Sequence, residues 1–221
     1  MQDFILDNVT RRSIDSKGIM TTKQGTLSIF DIDDTLFKSD TKIIVRKNNK
    51  EFKTLSTREF AKYQLGIDET FDFSEFRSGQ IFFDRAIPID NVFYLAKTIT
   101  ENNVDPSFTM LLTARSDFHD KEAFLEKFKH HGFPIDKAHV ERAGNLHKLK
   151  YGVKPHILKA AIVNRYLKTN KYNSVKMWDD SEDNLEMFLK LSNFYPAMQF
   201  EAFCIKEDGR IERYRMHNER D

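Results

Sequence analysis

A chain of 221 residues with 35 basic and 34 acidic side chains is nearly neutral, so no global field draws it to nucleic acid or to a membrane. Its length suits one domain with an insertion or two small ones, and 40% hydrophobic residues, including 20 phenylalanines, are enough for an aromatic core. The single cysteine, Cys204, excludes a disulfide within the chain, and no apolar run is long enough to span a membrane.

Residues 1–25 mix charges with Gly18 and Gly25 and read as a loosely ordered lead-in with room for a short edge strand. The first residues, Met1 to Asp7, are acidic and lack the apolar core of a signal peptide, so the expected location is cytoplasmic. Leu27, Ile29 and Phe30 then mark a buried strand over about 26–31. That strand turns acidic within one residue: Asp31, Asp33 and Asp34 fall in four positions, and Thr35 closes the group. Carboxylates this crowded repel one another and are costly unless a cation sits among them. Hard oxygen donors of this kind suit Mg2+. By themselves the same residues also make an Asx-type turn capping a strand.

Lys42–Lys47 and Glu51–Leu55 flank Asn48 and Asn49 and read as a β-hairpin. Ser56 and Glu59 have capping-box spacing and open a short helix to about Gln64. Phe71–Phe76 is aromatic and acidic, irregular or a short strand. Pro88 and Asp90 start a helix over 90–102, with Val92, Leu95, Ala96 and Ile99 at helical spacing.

From there strands and helices alternate. Phe108–Thr113 is a strand, and 118–131 is a helix closed by Gly132. Ala138–Glu141 is a short strand, followed by a basic, glycine-containing loop over 142–153. Pro155 opens a helix that buries Ile157, Leu158, Ala161, Ile162, Tyr166 and Leu167. Ser174–Trp178 is a strand ending in Asp179 and Asp180, and 182–191 is a helix. Met198–Cys204 and Ile211–Tyr214 read as a final hairpin. The alternation over 90–192 is the pattern of a parallel sheet covered on both faces, and such sheets bind ligands beyond the carboxyl ends of their strands. Asp31–Asp33, Thr113 and Asp179–Asp180 are then expected to face one crevice. Each has a plainer reading when taken alone: a strand-end hydroxyl for Thr113, and an N-cap pair for Asp179 and Asp180.

The run Phe30-Asp31-Ile-Asp33-Asp34-Thr35-Leu-Phe37 resembles the first motif of the haloacid dehalogenase (HAD) superfamily. Leu111-Leu-Thr113-Ala-Arg115 is similar to its second motif, and Trp178-Asp179-Asp180-Ser181-Glu-Asp-Asn184 to its fourth. The resemblance spans residues 26–192. It implies an α/β, Rossmann-like three-layer αβα sandwich with a parallel central sheet, its core formed by 26–37 and 87–221. A small cap, residues 38–86, is inserted after the first core strand.

It further implies that Asp31 is a nucleophile, Asp33 a general acid and base, and Thr113 a holder of the phosphoryl group. The metal group would comprise Asp31, Asp33, Asp179 and Asp180 around Mg2+, with Asp180 as a direct ligand and Asn184 supporting it from behind. The motif lysine is Lys159 or Lys154. Lys154 and Arg115 would otherwise contact substrate; Arg115, just past Thr113, reads either as a clamp for a second anionic group or as a surface ion pair.

An acid two residues past the nucleophile is the mark of phosphatases and mutases within this superfamily. The chain looks most like HAD domains associated with RNA repair and uncharacterised HAD-like hydrolases of tailed bacteriophages. The expected activity is a Mg2+-dependent phosphomonoesterase acting on a nucleotide or a nucleic-acid terminal phosphate, with no membrane or obligate protein partner. A phosphotransferase or mutase, and a non-catalytic anion- or partner-binding module, are the alternatives. The lysines of the 42–55 hairpin suit a basic lid over a polyanion, and equally a solvated hairpin protecting its edges.

Overall fold

A computed structural model describes residues 12–14, 20–22, 24–147 and 153–216. Within the lead-in, β1 (Arg12–Ile14) and β2 (Met20–Thr22) pair antiparallel as a sheet of their own. The edge strand expected there is therefore not part of the main sheet. That sheet has six strands, mostly parallel. It is built from β3 (Gly25–Phe30), β9 (Phe108–Thr113), β10 (Ala138–Arg142), β11 (Tyr172–Asp179), β12 (Gln199–Ile205) and β13 (Ile211–Tyr214). Their spatial order is β10-β9-β3-β11-β12-β13, and only β13 runs antiparallel to its neighbour. This is a mixed α/β architecture compatible with a Rossmann-like fold.

Both faces of the sheet are apolar, which is why its central strands read as nearly continuous hydrophobic runs. One face carries Leu27, Ile29, Met110, Leu112, Val175 and Met177. It packs on α6 (Pro155–Leu167) and α7 (Glu182–Lys190) through residues such as Leu158, Ile162, Leu185 and Phe188. The other face carries Phe30, Leu111 and Trp178 against α3 (Asp90–Asn102) and α4 (Lys121–His130). Phe30, Trp178 and Phe203 share one register position on β3, β11 and β12. Their rings stack, with centroids 4.3 Å and 5.0 Å apart and planes within 8° and 12°. Phe37 meets Phe82, Phe93 and Phe128 edge-on at 5.0–5.2 Å, an arrangement that matches the aromatic quadrupole.

The final hairpin is part of the core, because β12 pairs in parallel with β11 and carries β13 on its outer edge. Sequence spacing showed the antiparallel turn but not the parallel partner. The loop expected from residue 142 is also shorter: β10 includes Arg142, and Gly144–His147 forms α5. Residues 148–152 lie outside the described part.

The insertion leaves and rejoins the core through a neck. β4 (Phe37–Lys38) pairs antiparallel with β8 (Ile87–Pro88). Beyond the neck, β5 (Ile43–Lys47), β6 (Lys50–Leu55) and β7 (Glu69–Asp72) make a three-stranded sheet. Helix α1 (Thr57–Lys62) follows β6, capped by Ser56 and Glu59 as the sequence predicts. Ile43, Val45 and Leu55 form the insertion's own core with Phe60, Tyr63, Phe71 and Phe76.

Helix α2 (Gly79–Arg85) has no counterpart in the sequence reading. Its first turn is capped twice: Ser78 Oγ accepts from the Ile81 amide at 3.2 Å, and from far along the chain the Asp120 carboxylate accepts from the Gly79 and Gln80 amides at 2.6 and 2.7 Å. A Cβ at Gly79 would lie 2.3 Å from the Asp120 carbonyl oxygen, so this close packing of α2 on the start of α4 requires glycine.

Removing the Asp120 cap by Asp120→Ala is expected to cost about 1–2 kcal/mol of stability at neutral pH, measured by urea unfolding. Burial pushes this carboxyl up, but the Gln80 and Gly79 amides outweigh it and hold the pKa below its ordinary value. The capping stabilisation is therefore complete above about pH 4 and is lost as the pH falls through the lowered folded value. Wild type and variant should converge in acid.

Candidate functional site

Because β3, β9 and β11 are parallel, their carboxyl ends open on the same edge. Asp31 follows β3, and its amide donates to the Trp178 carbonyl at 2.9 Å, which sets Asp31 beside the end of β11. Asp179 is the last residue of β11 and is fully buried. Oxygens of Asp31, Asp179 and Asp180 lie within 4.8 Å of one another.

Helix α6 delivers a cation to this group. Leu158 and Ile162 anchor its inner face, and Lys159 projects between the two strand ends. Its Nζ donates to Asp31 Oδ1 at 2.6 Å and to Asp179 Oδ2 at 2.8 Å. The other Asp179 oxygen, Oδ1, accepts from the Ser181 amide and Asn184 Nδ2 at 2.9 and 2.8 Å. Lys154, the competing lysine, is exposed at the N-cap of α6 and makes none of these contacts.

Burial lowers the affinity of Lys159 for its proton, but Asp179 and Asp31 more than offset this and raise its pKa above the ordinary lysine value. Asp31 is raised well above the carboxylate range by burial, against the pull of Lys159 and with a push from Asp179 and Asp180. Asp180 opens towards solvent, yet atoms packed around its carboxyl strip water from it. With Asp179 alongside, its pKa is pushed up to about 7, a rise that solvent at the rim screens in part.

Asp33 is expected to share this acidic group, but its carboxylate points to a different cation. Arg115 grips it with two hydrogen bonds, Nε to Oδ2 at 2.8 Å and Nη2 to Oδ1 at 2.6 Å. Ser39 Oγ adds a third at 2.7 Å. Burial pushes Asp33 up, but the Arg115 charge and hydrogen bonds outweigh it and hold the carboxyl below its ordinary range.

The expectation that Arg115 clamps substrate is corrected by the same contacts. Its side chain is 1% exposed, and every guanidinium nitrogen donates to a protein oxygen. Thr113 is buried beside this pair. Its Oγ1 accepts from the Arg115 amide at 3.1 Å and lies 3.4 Å from Asp33 Oδ2.

Thr35 and Asp34 belong to the first acidic run in the sequence, but their partners carry no signal there. Thr35 Oγ1 accepts from the Asp180 amide at 3.0 Å and so joins the two acidic loops. Asp34 sits in the left-handed region at φ 59°, which aspartate tolerates, and accepts from Thr57 Oγ1 of the insertion at 2.8 Å. A cavity of about 360 Å3 lies between core and insertion, lined by Asp34, Lys38, Thr41, Lys42, Thr57 and Asp180 among others.

Comparisons with protein-family models, with curated proteins and with solved structures gave no match. The chemistry of the group must therefore be read from its donors. Three carboxylates lie beside one ammonium that bonds two of them, and burial first, then mutual repulsion, raises Asp31 and Asp180. Among the described residues, no hydrogen bond engages the second oxygen of Asp31. A hard divalent cation such as Mg2+ fits this donor set, with Asp31 and Asp180 best placed to hold it and Asp179 occupied in orienting Lys159.

Saturating Mg2+ is expected to stabilise the protein against unfolding, by about 2.7 kcal/mol at a hundredfold excess over Kd, and Asp180→Asn to abolish most of the gain. An acid whose folded pKa is raised binds more protons in the native state. The metal-free protein therefore loses stability as pH rises from about 3.9 towards about 7. Protons compete with the cation over that range, so the Mg2+-induced shift in Tm should be larger near about pH 8 than near about pH 5.5. Lys159→Met leaves buried carboxylates without their partner and should cost about 3–5 kcal/mol in metal-free buffer, with part restored by Mg2+.

Proposed function

We propose that this protein is a HAD-like, Mg2+-dependent phosphomonoester hydrolase with the three-layer sandwich and inserted cap of that superfamily. The observation that carries the reading is the meeting of Asp31, Asp179 and Asp180 around Lys159 at the carboxyl edge of a parallel sheet. Asp31 attacks phosphorus in line, the ester P–O bond breaks, and an aspartyl-phosphate forms. In the substrate complex the phosphoryl charge raises the proton affinity of Asp33, which enters protonated, and the leaving oxygen takes that proton. Water then attacks the aspartyl-phosphate, Asp33 takes a proton from that water, and Asp31 is regenerated as phosphate leaves.

Lys159 offsets charge on Asp31 and on the incoming phosphoryl oxygens, and Thr113 offers them a hydrogen bond. Mg2+ held by Asp31 and Asp180 would supply further neutralisation of phosphoryl charge. Reactions of this class need little beyond positioning and charge neutralisation, which is what the residues at this edge provide.

The substrate proposed is a nucleotide or a nucleic-acid terminal phosphate. Lys38, Lys42 and Arg85 line the cavity and suit a second phosphate. On the hairpin that rises from the cavity, exposed Phe52 has Lys47 Nζ 5.5 Å from its ring centre, a contact that suits a base and its backbone. Residues 38–86 act as the cap that closes on the substrate and excludes water.

The test is phosphate release from p-nitrophenyl phosphate, mononucleotides and 5′- and 3′-phosphorylated oligonucleotides, with Mg2+ and no added acceptor. Turnover by wild type that falls to background in Asp31→Asn is expected. Equal release by the two proteins across the panel would overturn the reading, and release only with an acceptor would make the protein a phosphotransferase.

A further inference from the structure

Arg115 lies on the core loop after β9, but its contacts extend into the insertion. Nη2 donates to Thr41 Oγ1 at 3.1 Å and approaches Ser39 Oγ at 3.5 Å, while Nη1 donates to the Phe76 carbonyl at 3.2 Å. The rings of Phe76 and Phe82 lie 4.7 and 5.0 Å from the guanidinium carbon. Ser39, Thr41 and Phe76 belong to the inserted segment, whereas Asp33 belongs to the core; Phe82, on α2, packs into that core against Phe37. A planar guanidinium makes such contacts in one orientation only, because its donors are fixed relative to one another. Buried between rings, it has no water to replace a lost partner.

We propose that Arg115 is a positioning residue that couples the insertion to Asp33: the acid–base carboxylate is seated for proton transfer only while Thr41 and Phe76 of the insertion hold the guanidinium and Ser39 holds the carboxylate directly. This rests on the phosphatase reading above. The contacts on the insertion side orient the fork, and the fork in turn orients both Asp33 oxygens. A carboxylate held this way keeps its distance to the Asp31-bound phosphoryl group. One released from it rotates about its own side-chain bonds and loses alignment with the leaving oxygen.

The consequence depends on the leaving group. An alkoxide cannot leave without a proton, whereas p-nitrophenolate can. A displaced Asp33 should therefore reduce kcat/KM for an alkyl phosphate far more than for p-nitrophenyl phosphate. General damage to the fold or to phosphoryl binding would reduce both alike.

The experiment compares kcat/KM on β-glycerophosphate and p-nitrophenyl phosphate for wild type, Asp31→Asn, Arg115→Lys, Thr41→Val and Ser39→Ala, with circular dichroism as the check on folding. Arg115→Lys is expected to lose about 100-fold or more on β-glycerophosphate and less than about tenfold on p-nitrophenyl phosphate. Thr41→Val leaves the Arg115–Asp33 pair intact and should show the same split at smaller size. It carries the test if Arg115→Lys does not fold. Added guanidinium should restore activity to folded Arg115→Ala on the alkyl substrate in particular.

Equal losses on the two substrates, or Thr41→Val and Ser39→Ala indistinguishable from wild type on both, would overturn the coupling while leaving the phosphatase standing. Wild type no better than Asp31→Asn on either substrate would overturn the phosphatase reading itself, and the coupling with it.

Discussion

The Lys159 ammonium between Asp31 and Asp179 is the contact on which the rest of this edge depends. It spans the ends of two adjacent parallel strands, at 2.6 and 2.8 Å, with all three side chains buried. Taking any of these charges out of water alone would be prohibitive, and the three are tolerable only as a set. The set requires β3 beside β11 in one register, which the Phe30–Trp178 stack and the Asp31 amide bond to Trp178 enforce. It also requires α6 to enter at one height, which Leu158 and Ile162 enforce from the opposite face. Charge and packing thus specify the same arrangement.

A second cation divides the acids. Asp31 and Asp33 are two residues apart, yet one faces Lys159 and the other Arg115. Burial drives both upward, but only Asp33 has a bidentate partner, so Asp31 stays raised and Asp33 is lowered. Two carboxylates whose environments separate their proton affinities can perform different tasks at one pH. Within the proposed mechanism, Asp31 belongs to the phosphoryl and metal side, and Asp33 to the proton-transfer side. The geometry alone separates them, since Lys159 and Arg115 arrive from different elements.

Sequence periodicity carried the main strands and α3, because β3, β9 and β11 are buried on both faces and α3 has a regular apolar face. On α6 it placed the helix but misassigned part of its buried side, since Ile157 and Ala161 are exposed while Lys159, Ala160 and Val163 are buried. The choice between Lys159 and Lys154 was open in sequence because both sit near the start of one helix. Folded, Lys159 lies next to Leu158 on the buried side, while Lys154 is the exposed cap. The features that escaped have partners distant in sequence. Helix α2, besides its local Ser78 cap, takes a second cap from Asp120, 41 residues on from Gly79. The parallel pairing of β12 with β11 leaves no local mark. Arg115 follows Thr113 closely enough to read as a substrate clamp, and only Asp33, 82 residues earlier, reveals that its fork is already taken.

Apart from α2, which packs on α4 and the main core, the insertion meets the core beside the site at two seams of different strength. At one, Thr57 Oγ1 donates to Asp34 Oδ2 beside the cavity, in a partly solvated setting where one hydrogen bond contributes about 1 kcal/mol. At the other, Arg115 is buried among Asp33, Thr41, the Phe76 carbonyl and two rings, where losing a partner strands a charge. The Asp31 side chain is only 6% exposed, so under the proposed mechanism a phosphoryl group would need the insertion to shift before reaching it. The Thr57 seam costs less to open and borders the cavity that holds Asp180. Under the proposed mechanism, access through it would leave the Arg115–Asp33 pair intact and the acid–base carboxylate aligned while Asp31 is uncovered.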